Sequence, residues 1–70
     1  MNTATRIVGI VKTWKPNGWG FLYGQDDQDY FVYYRSLVGR RSLIENQVVE
    51  FTATRGSKGP EVRDVYVVEE

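Results

Sequence analysis

The chain has 70 residues, nine basic and nine acidic side chains, and a net charge of zero, which excludes a multidomain protein and a strongly basic binder of duplex DNA. It has neither cysteine nor histidine, so disulfides, thiolate metal sites and the commonest general base at neutral pH are excluded too. A domain of this size buries only about 60% of its unfolded surface, yet it carries two Trp, five Tyr and three Phe, more rings than a small core can hold, so some must face water.

In chain order the pattern is β throughout. Residues 6–14 are rich in β-branched side chains without a helical period and predict a first strand. Lys15-Pro16-Asn17-Gly18 is a turn, since Pro presets one corner and Asn-Gly supplies positive φ. Residues 19–23 and 29–34 predict the second and third strands, separated by the polar loop 24–28. Arg35-Ser36-Leu37 suits a short 3₁₀ turn, and residues 38–42 a loop. Residues 47–54 and 61–68 predict two further strands around the glycine-rich loop 55–60. Five short strands in so short a chain predict one domain over residues 1–70, with its core at about 7–68: an all-β, five-stranded antiparallel barrel of the OB type, closed so that few sheet edges are left open. No apolar run reaches the length of a membrane span or a signal-peptide core, and the reading is of a soluble, cytoplasmic monomer.

Strand periodicity sorts the rings. Trp19, Phe21 and Tyr23 fall on one face of the second strand, with Gly20 and Leu22 on the other. Phe31 and Tyr33 share a face of the third, opposite Tyr30, Val32 and nominally Tyr34. If the compact Leu22 and Val32 fill the barrel, Trp19, Phe21, Phe31 and Tyr33 stand together outside. The general expectation, rings inside and aliphatics outside, gives way here because too many rings compete for the interior. Gly18 and Gly20 also flank Trp19, and Lys12, Lys15, Arg35 and Arg40 lie in the flanking segments. Rings beside cations are what a single strand needs, because every base has a face to stack. An exposed ring patch also suits a protein-binding module on the same barrel, the alternative reading.

At these residues the sequence resembles the cold-shock domain family, which includes bacterial cold-shock proteins and Y-box proteins. Asn17-Gly18-Trp19-Gly20-Phe21-Leu22 is similar to the family's first ribonucleoprotein motif and Tyr30-Phe31-Val32-Tyr33-Tyr34 to its second. Gly9-Ile10-Val11-Lys12 upstream, and Gln47-Val48-Val49-Glu50-Phe51 and Lys58-Gly59-Pro60 downstream, match further landmarks in order. The resemblance implies sequence-tolerant binding of single-stranded RNA or DNA and RNA-chaperone activity. By position, Lys12 matches a phosphate-contacting lysine, Trp19, Phe21, Phe31, Tyr33 and Tyr34 match the stacking rings, and Asp29 matches a motif aspartate. The chain departs from the family at Lys12-Thr13-Trp14-Lys15, where Thr13 or Trp14 holds the place of a stacking tryptophan. Asn17 stands for a common lysine and Tyr33 for histidine. The loop 38–42 is short and lacks the family's loop aromatic, with Arg40 and Arg41 in its place; an arginine plane can stack on a base or pair with phosphate.

The candidate nucleic-acid-binding set is therefore Lys12, Trp14, Lys15, Trp19, Phe21, Phe31, Tyr33, Tyr34, Arg40, Arg41 and Lys58. Each cation taken alone also reads as solvated surface charge. Asp26, Asp27 and Asp29 lack the ligand spacing of a calcium loop, and no serine has a histidine to activate it. The sequence predicts no metal, no cofactor and no catalysis.

Overall fold

The computed structural model describes residues 5–56 and 59–69. Five strands, β1 (Thr5–Lys15), β2 (Trp19–Gly24), β3 (Asp29–Tyr33), β4 (Val48–Gly56) and β5 (Gly59–Glu69), form one antiparallel sheet in the order β3-β2-β1-β4-β5. A 3₁₀ turn at Tyr34–Ser36 follows β3. It draws the two outer strands together: Leu37 bridges Val65 in parallel, the Val38 N–H donates to the Val65 carbonyl at 2.9 Å, and Ser36 Oγ donates to the Val62 carbonyl at 2.9 Å. The sheet thus curls into the expected OB-like barrel. Among the described residues, no helix is long and apolar enough to cross a membrane.

The interior is mainly aliphatic. Val11, Leu22, Val32, Val49, Phe51 and Val65 are fully enclosed, with Leu37, Leu43, Ala53, Val62 and Tyr30 around them. In β2, β3 and β4 the buried residues alternate along the strand, as the two-residue period read from the sequence requires, whereas Val62 and Val65 of β5 are three apart across a register shift and Leu37 and Leu43 come from outside the strands. Tyr30 joins Phe51 as a ring drawn into the core. It meets Phe51 at 5.2 Å between centroids, and its hydroxyl donates to Asp26 Oδ2 at 2.5 Å, which satisfies the one polar atom it brings inside. Burial, with the Asp26 carboxylate second, pushes this hydroxyl up to about 12.

Two irregularities decide which side chains of β1 and β2 face outward. β1 carries a bulge between Val11 and Thr13: Val11 opposes Leu22 and Thr13 opposes Phe21, leaving Lys12 as the extra residue. The inward-outward alternation therefore shifts by one residue after Lys12. At Gly20 the backbones of β1 and β2 come so close that a Cβ would collide with the Thr13 carbonyl and meet Trp14 Cε3 at 2.9 Å. Only glycine allows this approach.

Candidate nucleic-acid interface

Directly opposed residues of antiparallel strands share a face, so the register defines the outer surface row by row. Lys15 opposes Trp19, which opposes Tyr33. Thr13 opposes Phe21, which opposes Phe31. Ile10 opposes Tyr23, which opposes Asp29. The expected separation of faces holds: Val32 is 1% exposed and its neighbour Phe31 is 52% exposed, with Phe21, Tyr23 and Tyr33 exposed on the same side.

The rings form a continuous ladder. Trp19 lies near-parallel to Phe31 at 6.0 Å and meets Phe21 edge-on at 6.1 Å, while Phe21 meets Phe31 edge-on at 5.8 Å. Phe31 stacks with Tyr33 at 6.3 Å, and Tyr33 leans on Tyr34 at 5.2 Å. Each ring buttresses the next, which fixes their planes while leaving open faces. Tyr34 joins the ladder although strand alternation assigned it to the opposite face. β3 ends at Tyr33, so alternation no longer applies, and the 3₁₀ turn brings Tyr34 back beside Tyr33. Its backbone N–H donates to the Gly18 carbonyl at 2.8 Å, which ties this end of the ladder to the Lys15–Gly18 turn.

The structure resolves the choice left open at Thr13 and Trp14. After the bulge, Thr13 falls on the ring face opposite Phe21, and Trp14 opposes Gly20 and packs half-buried against the core. Trp14, expected among the binding residues, is thus turned toward the interior. The small, half-buried Thr13 occupies the outer place beside Phe21.

The cations differ in their circumstances. Lys12 projects from the bulge, and its Nζ pairs with Asp29 Oδ2 at 3.0 Å across β2. Both partners are about half-exposed, so solvent keeps the pair weak and leaves Lys12 able to exchange partners. Lys15 is exposed next to Trp19. The Arg35 guanidinium lies 6.0 Å from the Tyr34 ring centre. A hydrogen bond from Arg35, the Arg35 charge and the nearby charge of Arg41 hold the Tyr34 hydroxyl below its ordinary value, with burial acting in the other direction. Arg41 is exposed and Arg40 half-buried. Lys58 lies outside the described residues. Arg6 belongs to another surface: it contacts Glu50 at 3.4 Å, Thr52 at 2.8 Å and the Asp64 carbonyl at 3.0 Å, over the Tyr66 ring.

The ladder therefore has a basic end, with Lys15, Arg35 and Arg41 around Trp19, Tyr33 and Tyr34, and an acidic end, with Asp26, Asp27 and Asp29 around Tyr23. Tyr23 was absent from the sequence-derived binding set although the two-residue period aligns it with Trp19 and Phe21.

Comparison with known proteins agrees with this geometry. Residues 7–68 match the family model of the 'Cold-shock' DNA-binding domain. The chain is 42% identical over 65 residues to the cold shock-like protein CspJ of Salmonella typhi, covering 87% of this chain and 93% of that protein. It is 38% identical over 68 residues to the cold shock protein CapB of Pseudomonas syringae, covering 93% and 99%. The major cold shock protein CspA of Pseudomonas aeruginosa is 40% identical over 68 residues, again covering 93% and 99%. A barrel with an exposed aromatic ladder, a family match over most of its length and relatives of nearly the same extent lead to one conclusion: the chain belongs to the cold-shock DNA-binding domain family.

Proposed function

We propose that this chain takes up single-stranded RNA or DNA along the ladder and acts as an RNA chaperone or transcript regulator in the cytoplasm. Nucleic-acid binding is the function of the family. The observation that carries the residue-level reading is the run of mutually buttressed, outward-facing rings from Trp19 through Phe31 to Tyr34. A base laid on such a ring gains on the order of 1–3 kcal/mol whatever its identity. Trp19, Phe21, Phe31, Tyr33 and Tyr34 are the stacking groups. Lys12, Lys15, Arg35 and Arg41 supply positive charge for the phosphates. Arg40, half-buried, has a smaller part in this reading than Arg41. Trp14 contributes by filling the space over Gly20 and holding β1 against β2, not by stacking. Holding bases apart on rings prevents their pairing, which is the physical content of chaperone activity. The chain works as a monomer in this reading, and no catalytic step or cofactor enters it.

The test is binding of wild type and Phe31→Ala to a labelled heptathymidine and to a duplex of equal length. The wild type is expected to prefer the single strand, because paired bases hide their faces, and Phe31→Ala to lose affinity for it about tenfold or more. Equal affinity of the wild type for both ligands would contradict stacking as the mode of binding.

A further inference from the structure

Tyr23 is the one aromatic side chain of the outer face of β2 that the ladder does not use. It follows Phe21 by two residues, which places its ring on the same face. It is 39% exposed, with Ile10 opposite on β1 and Asp29 opposite on β3. Ile10 is itself exposed and gives the ring an apolar neighbour on the surface. The Tyr23 hydroxyl donates to Asp27 Oδ1 at 2.7 Å, which anchors the far end of the side chain.

The anchor is itself held in place. The Asp27 N–H donates to the Gly24 carbonyl at 3.0 Å, the Gly24 N–H to the Gln28 carbonyl at 2.9 Å, and the Gln25 N–H to the Val8 carbonyl at 2.9 Å. Asp26 ties the same loop to the core through Tyr30. A ring whose edge is fixed and whose face is open loses little side-chain entropy when a flat ligand covers it. The hydrogen bond to Asp27 and the surrounding carboxylates also keep the Tyr23 hydroxyl protonated to higher pH than usual.

The Lys12–Asp29 ion pair crosses β2 beside this ring, from the bulge of β1 near Phe21 to Asp29, which opposes Tyr23 at the start of β3. We propose that Tyr23 is a further base-stacking platform, set one row beyond the Phe21–Phe31 row and flanked by the Lys12–Asp29 pair. This rests on the reading of the ladder as a single-strand site. The nucleotide concerned places its base on Tyr23, and the strand reaches it by passing Lys12, which projects from the bulge near Phe21. Asp26, Asp27 and Asp29 repel phosphate at this end, so Tyr23 engages the neutral base while the backbone stays outside. The platform adds affinity without adding phosphate contacts, and only a strand long enough to run past Lys12 reaches it.

The experiment compares Tyr23→Ala, Tyr23→Phe and Phe31→Ala with the wild type, using tetrathymidine and heptathymidine at several salt concentrations, with thermal melting to verify folding. Tyr23→Ala is expected to bind tetrathymidine as the wild type does, to bind heptathymidine about five- to tenfold more weakly, and to keep the wild-type salt slope. Tyr23→Phe, which keeps the ring and loses the tether, is expected to stay within about twofold of wild type for heptathymidine, since stacking is the ring's property. Phe31→Ala is expected to weaken both ligands. Wild-type binding of heptathymidine by Tyr23→Ala, with Phe31→Ala weakened, overturns the Tyr23 platform and leaves the ladder standing. Equal losses in Tyr23→Ala and Tyr23→Phe, or equal losses for both lengths, overturn it as well. If neither Tyr23→Ala nor Phe31→Ala weakens binding, the reading of the ladder itself has failed.

Discussion

Val32 and Phe31 are adjacent in the chain and face opposite ways, one enclosed in the barrel and the other exposed in the middle of the ladder. Their substitutions should separate stability from binding. Val32→Ala leaves a cavity and is expected to cost about 1–3 kcal/mol in chemical denaturation. Phe31→Ala removes ring contacts that already lie in water, so the melting temperature should move little while single-strand affinity falls. Arg41 makes a different kind of contact. Its exposed guanidinium stands near Tyr34, at the basic end. If it pairs with one phosphate, Arg41→Gln should flatten the log–log salt dependence of single-strand binding by about 0.7. The loss should be similar for all base compositions, because phosphates carry no sequence information. An unchanged slope would mean that Arg41 does not neutralise a phosphate. Phe31→Ala should keep the parent slope, since a ring releases no counterions.

At the scale of elements, the outer and inner faces of β2 and β3 were legible because the two-residue period is strict: Leu22 and Val32 went inside, and Phe21, Phe31 and Tyr33 outside, as read. The bulge at Lys12 was not legible. One extra residue in β1 reverses which of Thr13 and Trp14 faces outward, and nothing in the local composition marks it. Tyr34, which the family resemblance placed among the stacking rings, was put on the opposite face by strand alternation for a related reason, since alternation ends where the 3₁₀ turn begins. The loop between β2 and β3 supplies a pH-dependent link. Tyr30 is buried against Phe51 and donates to Asp26, and its hydroxyl titrates at about 12 instead of the ordinary 10.0. The unfolded chain therefore loses this proton first. The stabilisation is fully present below pH 10 and is lost as the pH rises through about 12. Urea titrations of wild type and Tyr30→Phe across this range should show wild-type stability falling more steeply. Parallel curves would mean that Tyr30 ionises alike in both states.

The whole molecule combines a neutral net charge with an uneven surface. Cations gather where the ladder meets the 3₁₀ turn, and carboxylates where it meets the β2–β3 loop. The sequence disclosed the order of these charges along the chain, but not that the bulge and the pairing of β1, β2 and β3 would set Lys12 against Asp29, seventeen residues apart. A ligand that engages only the folded barrel must stabilise it, by about 2.7 kcal/mol when present at a hundred times its Kd. In a domain this small that corresponds to several degrees of melting temperature. Heptathymidine should produce this shift, and duplex of equal length far less. The most direct test of the central claim, that bases stack on the ladder, uses Trp19 as reporter. Trp14→Phe leaves Trp19 as the sole tryptophan, with its ring against Phe31 in the ladder. Titration of this variant with heptathymidine at low salt should quench Trp19 fluorescence saturably, and a duplex of equal length should leave it nearly unchanged. Absence of quenching by the single strand, with the variant folded, would contradict stacking on the ladder.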